Sequence, residues 1–405
     1  MAASRSLALA ALALALSGWT TALSGCDTTI PLHPEVPQRT DDGWETAPLS
    51  QVAIDDAPIG VLLREIANGE YHNVNGVVLV RNGKLVLEAY FPGQDQTGRR
   101  HTFDRDTLHE QHSVTKSVTS ILVGIAIDQR GIVGPEATLS TFFPENAALI
   151  SDSIKRRLTI ADFLTMRAGL AWNEWKTPYT DSNNVLIAMY RSRDPVRHIL
   201  DLPVADKPGT VFTYNGGLSI TLGEVIHRAS GLRADAFADR FLFGPLGITT
   251  WSWERFEDST VNAGGGLRLR PRDMAKIGQL MLNGGRWHGA NVVSESWVRE
   301  STRRRVDDLP PTFPWYMRPG IGIARRVGWL GRTPDGYGYH WWHRSFRVGN
   351  RILPAFSAEG RGGQFIVVVP DIALVAVFTG WNDNIRAPSP IRMLDHRILP
   401  AIRVH

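Results

Sequence analysis

Cysteine is almost absent from this 405-residue chain, which contains a single one, Cys26. One thiol excludes an internal disulfide. Disorder is excluded by composition, because hydrophobic residues make up 43% of the chain and charged residues only 21%. The length allows one large domain or two ordinary ones, and no repeat of a solenoid or propeller is visible.

Lysine is also scarce: six of the 44 basic residues are lysines, and the net charge is only +4. The arginines alternate with acidic residues, apart from a short run at Arg303–Arg305. A nucleic-acid-binding protein concentrates positive charge on one face or carries a recognisable motif, and neither is present. We therefore expect no nucleic-acid partner.

No hydrophobic run is long enough to cross a bilayer comfortably; the run at 7–16 has about ten residues. It precedes Leu-Ser-Gly-Cys at 23–26, which resembles a bacterial lipobox. We expect a signal peptide at 1–25, lipidation of Cys26, a tether at 26–55, and an exported protein anchored to a membrane facing the periplasm. An ordinary cleaved signal peptide is the alternative.

Strand patterns lie near both ends of the remaining chain. Two apolar segments flank Asn82-Gly83, a strong hairpin signal, and two more lie at 364–369 and 373–378. Residues 113–290 are mostly helical in pattern. We predict one α+β domain at 56–400, with an antiparallel sheet closed by both termini and a mainly helical inserted subdomain.

The candidate chemistry lies at the start of a predicted helix. Ser113 and Lys116 are three residues apart, so a helix places them on one face with Cβ atoms about 5 to 6 Å apart. A buried lysine with a lowered pKa can accept the serine proton, and the helix N-terminus favours developing negative charge. Alone, this spacing is a weak signal.

Two later segments strengthen it: Tyr214-Asn215-Gly216, and a glycine-rich turn from Gly360 to Gly363 before a strand. The segments at 158–170, 243–248, 263–267 and 271–274 add to the likeness. In this order they resemble the serine β-lactamase and penicillin-binding superfamily, in its branch of class C-related esterases and 6-aminohexanoate-dimer hydrolases.

The resemblance implies a β-lactamase/transpeptidase-like fold and a role for each matching residue. Ser113 would be the nucleophile, Lys116 its general base, and Tyr214 a proton relay to the leaving group. The backbone N–H groups of Ser113 and Arg361 would form the oxyanion hole. No metal and no cofactor are implied.

The sequence departs from the family pattern in two places. The third position of Tyr-x-Asn is Gly216, with the asparagine one place early at Asn215, and Ala358-Glu359-Gly360 replaces Lys-Thr-Gly. The lost lysine binds substrate carboxylates in the family, so its absence argues against β-lactams and peptidoglycan peptides. Our candidates for substrate contact are Asn215, Gly362, Trp172, Trp175 and Trp341, with Tyr179 and Trp342 as further pocket aromatics.

We expect a serine hydrolase that cleaves a small ester or amide substrate through an acyl-enzyme. A D-amino-acid peptidase or a weak β-lactamase remains an alternative within the class. A catalytically silent envelope-binding lipoprotein is the alternative from another class. A metal-dependent hydrolase is disfavoured, because no His-Glu-x-x-His motif occurs.

Overall fold

The computed structural model describes residues 32–309, 333–382 and 388–403. Its largest element is a sheet of eight strands. These are β1 (Glu45–Thr46), β2 (Val74–Arg81), β3 (Lys84–Tyr90), β11 (Gly336–Tyr337), β12 (Trp342–Val348), β13 (Arg351–Gly360), β14 (Gln364–Val369) and β15 (Leu374–Gly380). Their order across the sheet is β1-β3-β2-β15-β14-β13-β12-β11.

Strands from the two ends of the chain are neighbours in this sheet, as the sequence predicted. β2 pairs antiparallel with β15, and the Asn82-Gly83 turn joins β2 to β3. Two details differ from the prediction. The sheet remains open, with β1 and β11 at its edges, and β1 pairs with β3 in parallel.

Alternating side chains of the central strands supply two hydrophobic cores. On β2, Val78 and Val80 belong to one core, whereas Val77 and Leu79 belong to the other. All four are completely buried. Because successive strand residues point to opposite faces, an apolar run without polar interruptions indicates a sheet covered on both sides.

Helices cover both faces. They are α1 (Asp56–Ala67), α2 (Val114–Asp128), α3 (Leu139–Phe142), α4 (Ala147–Ser151), α5 (Ile160–Leu164), α6 (Val185–Tyr190), α7 (Pro195–Leu200), α8 (Gly216–Ser230), α9 (Ala234–Ala238), α10 (Pro271–Leu282), α11 (Glu295–Ser301) and α12 (Pro390–Met393), the last continued by Leu394–Ile398 and Leu399–Ala401. α1 packs against the C-terminal helical segment, and α10 packs against β2, β14 and β15. α2 contacts α8 and β13, and so joins the helical part to the sheet.

Short strands complete the described parts of the chain. β4 (Gly93–Gln94) pairs with β5 (Arg100–His101), and β9 (Arg286–Trp287) pairs with β10 (Ala290–Asn291). β6 (His109–Glu110), β8 (Leu267–Leu269) and β7 (Ser252–Trp253) form a three-stranded sheet in that order. No helix within the described ranges is long and apolar enough to span a membrane.

The folded domain begins earlier than the predicted boundary at residue 56. Trp44, Ala47, Leu49 and Val52 are all buried. Apolar side chains of this segment therefore belong to the core, and the predicted tether at 26–55 is wrong over its C-terminal half. The predicted signal peptide and Cys26 lie outside the described residues.

Candidate active site

Ser113 lies where a short strand turns into a long helix. β6 ends at Glu110, His112 has a left-handed backbone with φ of 45°, and Ser113 is the N-cap residue of α2. Histidine is among the residues that tolerate this conformation best. The turn leaves Ser113 partly exposed at the positive end of a 15-residue helix.

Lys116 lies one turn further along α2 and is buried. Its Nζ is 3.0 Å from Ser113 Oγ and donates a 2.6 Å hydrogen bond to the carbonyl oxygen of Gly264. Burial lowers the pKa of Lys116 to about 8, although the charge of Glu174 acts in the opposite direction. The amine is thus held at the serine hydroxyl and deprotonates far more readily than an exposed lysine.

Tyr214 is buried close to Lys116. The Lys116 Nζ is 5.1 Å from the centre of its ring. The Trp175 ring stacks on the Tyr214 ring, with ring centres 5.0 Å apart and an interplanar angle of 15°. The Trp342 ring also stacks on Tyr214, at 5.8 Å and 21°. Two indoles from different parts of the chain therefore fix the tyrosine ring.

The end of β13 adjoins the segment that leads into Ser113. A Cβ placed on Gly360 would lie 2.3 Å from the carbonyl oxygen of Gln111, so only glycine permits this approach. Arg361 follows in the turn, with its guanidinium 6.0 Å from the ring centre of Tyr179. This geometry supports the assignment of the Arg361 N–H to the oxyanion hole, which remains a prediction.

A carboxylate that the sequence analysis missed lies beside these groups. Glu174 is buried and accepts hydrogen bonds from Trp172 Nε1 (2.9 Å), Tyr179 Oη (2.8 Å) and Gly216 N (2.7 Å). The Gly264 carbonyl on Lys116 was missed as well. The contacts of Glu174 with Gly216 and of Gly264 with Lys116 join segments that are far apart in the sequence, so no local spacing indicates them.

Three predicted substrate contacts have other roles in the structure. Asn215 is a buried helix cap whose side chain accepts from Gly217 N at 2.9 Å. Trp341 has no exposed surface and packs edge-on against Phe356, so it cannot line a pocket. Gly362 is a buried turn residue with φ of 83°, whose carbonyl accepts from Asn382 N.

The other pocket candidates surround the site indirectly. Trp172 binds Glu174, Trp175 and Trp342 stack on Tyr214, and Tyr179 lies between Glu174 and Arg361. These aromatic residues therefore hold the candidate catalytic groups in place. Direct substrate contact by Trp172 and Trp175 remains a prediction.

The strand residues in place of Lys-Thr-Gly provide no amine. Ala358 is completely buried in the core that contains α2. Glu359 forms two 2.8 Å hydrogen bonds with the buried Arg344 and accepts one from Ser357. A methyl group and a paired carboxylate thus occupy the first two of these three positions.

The mixed α/β fold with its large open sheet is that of the β-lactamases and transpeptidases, and the candidate groups at the start of α2 lie at the junction of sheet and helices. The profile of the Beta-lactamase family matches residues 67–387. The chain therefore belongs to the Beta-lactamase family and is an enzyme of the serine hydrolase type.

Individual relatives are distant. The 6-aminohexanoate-dimer hydrolase of Paenarthrobacter ureafaciens is 27% identical over 295 residues, which cover 64% of this chain and 69% of the relative. The lovastatin esterase of Penicillium rubens is 24% identical, covering 52% of this chain and 57% of the esterase. The solved structure of EstCE1, a hydrolase with promiscuous acyltransferase activity, superposes with a TM-score of 0.64 at 15% identity, covering 85% and 97%.

Proposed function

We propose that this protein hydrolyses a carboxylic ester or a linear amide through an acyl-enzyme on Ser113. The observation that carries the proposal is the contact between Lys116 and Ser113: the Nζ lies 3.0 Å from the Oγ and the pKa of the lysine is lowered to about 8. A neutral amine at this distance is a suitable general base for an otherwise unreactive hydroxyl.

The steps follow from the positions of the groups. Neutral Lys116 takes the hydroxyl proton while Ser113 Oγ attacks the carbonyl carbon, and the N–H groups of Ser113 and Arg361 stabilise the oxyanion. Tyr214, next to Lys116, passes the proton to the leaving alcohol or amine. Water then attacks the acyl-enzyme, which releases the acid and regenerates the Ser113 hydroxyl.

The substrate preference follows from the residues that replace the family's carboxylate-binding lysine. Ala358 has no cationic group, and Glu359 adds a carboxylate that is bound to Arg344. Both features favour a neutral acyl group over a substrate that carries a carboxylate, as β-lactams and peptidoglycan peptides do. Esterase or linear-amidase activity is therefore our choice over D-amino-acid peptidase or β-lactamase activity.

The proposal is tested with a fluorophosphonate probe and intact-mass analysis. We expect one adduct on the wild-type protein and none on Ser113→Ala or Lys116→Ala. Ser153→Ala and Lys176→Ala change exposed residues of the same types and should be labelled like wild type. A folded wild-type protein that forms no adduct would support the silent lipoprotein instead.

A substrate panel decides the class. We expect turnover of neutral esters or linear amides to exceed turnover of nitrocefin and of a D-alanyl-D-alanine peptide by at least tenfold. Faster nitrocefin or peptide hydrolysis would overturn the preference derived from Ala358 and Glu359.

We also propose export and lipid anchoring at Cys26, on the lipobox-like sequence at 23–26. The full chain should sediment with membranes after expression in a bacterium, whereas Cys26→Ser should not. Release of both proteins into the periplasm would indicate an ordinary signal peptide.

A further inference from the structure

The first residue of helix α8, Gly216, has no side chain at a point close to Lys116. It is the third residue of Tyr214-Asn215-Gly216. A Cβ at this residue would lie among side-chain atoms of Leu186, Glu174 and Lys116. That point is 2.9 Å from Leu186 Cδ1, 3.5 Å from Glu174 Oε2 and 3.9 Å from Lys116 Nζ. A side chain on α8 would therefore reach the lysine and the space now taken by the Glu174 carboxylate.

Glu174 is held in this space by its surroundings. Its Oε2 accepts from Gly216 N at the start of α8 and from Trp172 Nε1, and its Oε1 accepts from the Tyr179 hydroxyl. Three donors on a buried carboxylate fix both oxygens, and the N-terminus of a 15-residue helix favours negative charge there. The next residue, Trp175, stacks on Tyr214.

We propose that Glu174 is the positioning residue of this site: it supplies from a loop the polar group that Gly216 lacks, holds the Trp175–Tyr214 stack in place, and sets the charge next to Lys116. The inference rests on the proposed function, since it concerns the base that activates Ser113.

The charge of Glu174 has a predictable effect on the lysine. The titratable groups that face Lys116 are Glu174 from the loop, Tyr214 before α8 and His340 before β12, whose Nδ1 is 3.0 Å from the Lys116 carbonyl oxygen. Burial lowers the pKa of His340 to about 3, so it is neutral. The charge of Glu174 acts on the lysine and favours its protonated form.

The test is the pH dependence of fluorophosphonate labelling between pH 6 and 10. The probe does not titrate in this range, so the midpoint of the rate reports the enzyme. Glu174→Gln should move the midpoint to lower pH by roughly one unit, because removal of an adjacent negative charge lowers the pKa of a lysine. Tyr179→Phe removes one hydrogen bond but keeps the charge, and its midpoint should stay at the wild-type pH.

A pair of double variants separates charge from shape. Glu174→Ala with Gly216→Asp, and Glu174→Ala with Gly216→Asn, place similar side chains on α8 that differ in charge. Both should be labelled at least tenfold faster than Glu174→Ala alone, and only the aspartate variant should keep a midpoint near that of wild type.

Each outcome bears on the inference. An unshifted midpoint in folded Glu174→Gln, or equal midpoints in the two double variants, would overturn it while wild-type labelling leaves the proposed function intact. If Glu174→Gln does not fold, the double variants decide. No labelling of the folded wild-type protein would overturn the proposed function itself, and this inference with it.

Discussion

Lys116 shows how one residue can combine a structural and a chemical requirement. It is buried, so its charged form is disfavoured, yet the carbonyl oxygen of Gly264 accepts a 2.6 Å hydrogen bond from its Nζ. The carbonyl orients the amine but brings no negative charge to it. A carboxylate in direct contact would instead stabilise the protonated form of the lysine. The neighbouring His340 is neutral and does not compete for the proton.

The lowered pKa of Lys116 predicts the pH dependence of the wild-type enzyme. A general base acts in its neutral form, so kcat/KM should be low well below the pKa of about 8 and should rise as the pH passes through it. We expect an acidic limb with a midpoint near pH 8, measured with a neutral ester. A limb centred near pH 6 would contradict the assignment of the base.

Lys116→Arg provides the control at the same residue. Arginine keeps a positive charge but remains protonated at every accessible pH, so it cannot take the serine proton. We expect a loss of at least 10²-fold in kcat/KM, with no recovery at high pH. Recovery above pH 9 would show that a different group accepts the proton.

Residues related by local spacing could be predicted from the sequence, and residues joined only by tertiary contacts could not. Ser113 and Lys116 follow from the geometry of one helix, and the structure places their side chains in contact. Glu174 meets Lys116 because a loop folds back on α8. Of the adjacent pair Trp341 and Trp342, only Trp342 stacks on Tyr214, a choice that depends on where β12 begins.

At the scale of elements, the site depends on the approach of strand β13 to the start of helix α2. Gly360 lies against the Gln111 carbonyl, and the next residue is the proposed oxyanion donor. The sequence predicted a glycine-rich turn before a strand, but the close contact with residue 111 required the packed structure. A strand end that approaches this closely can place a backbone N–H at the reacting carbonyl.

Gly360→Ala tests that approach. The added methyl would meet the backbone of Gln111, which cannot rotate away, so the end of β13 must move away from the segment that leads into α2. We expect labelling of Ser113 to slow by about 10²-fold, the effect of losing one oxyanion donor. The free energy of unfolding, measured in urea, should fall by about 1 to 3 kcal/mol.

Gly134→Ala is the matched control, because nothing lies within 4 Å of its added methyl. Its labelling rate and its urea midpoint should match those of wild type. If Gly360→Ala is labelled as fast as Gly134→Ala, the end of β13 does not contribute to the oxyanion hole.

The fold of the whole molecule was largely predictable, because strand patterns at both ends and helices between them leave few arrangements. The start of the domain was not. Residues 38–50 belong to a stretch, from 27 to about 50, that is rich in proline, threonine and aspartate, which indicated a tether. Their attachment depends on Arg272, a buried residue more than 200 positions away whose partners no local pattern identifies.

All three guanidinium nitrogens of Arg272 donate hydrogen bonds, and two of them bind this N-terminal segment. Asp42 (2.8 Å), Thr40 Oγ1 (2.7 Å) and the Gln38 carbonyl (2.7 Å) accept hydrogen bonds from it, as does Glu88 on β3. The segment is thus part of the domain. If Cys26 carries the anchor, as we propose, residues 27–36 lie between it and this attached segment and span at most about 35 Å.

Two shortened chains test this attachment. A chain that begins at residue 37 keeps every Arg272 partner and should match wild type in labelling and in urea unfolding. A chain that begins at residue 48 lacks Gln38, Thr40, Asp42 and the buried Trp44. Loss of a large aromatic side chain and of the partners of a buried charge should lower the free energy of unfolding by at least about 3 kcal/mol. Equal unfolding midpoints for the two chains would restore residues 37–47 to the tether.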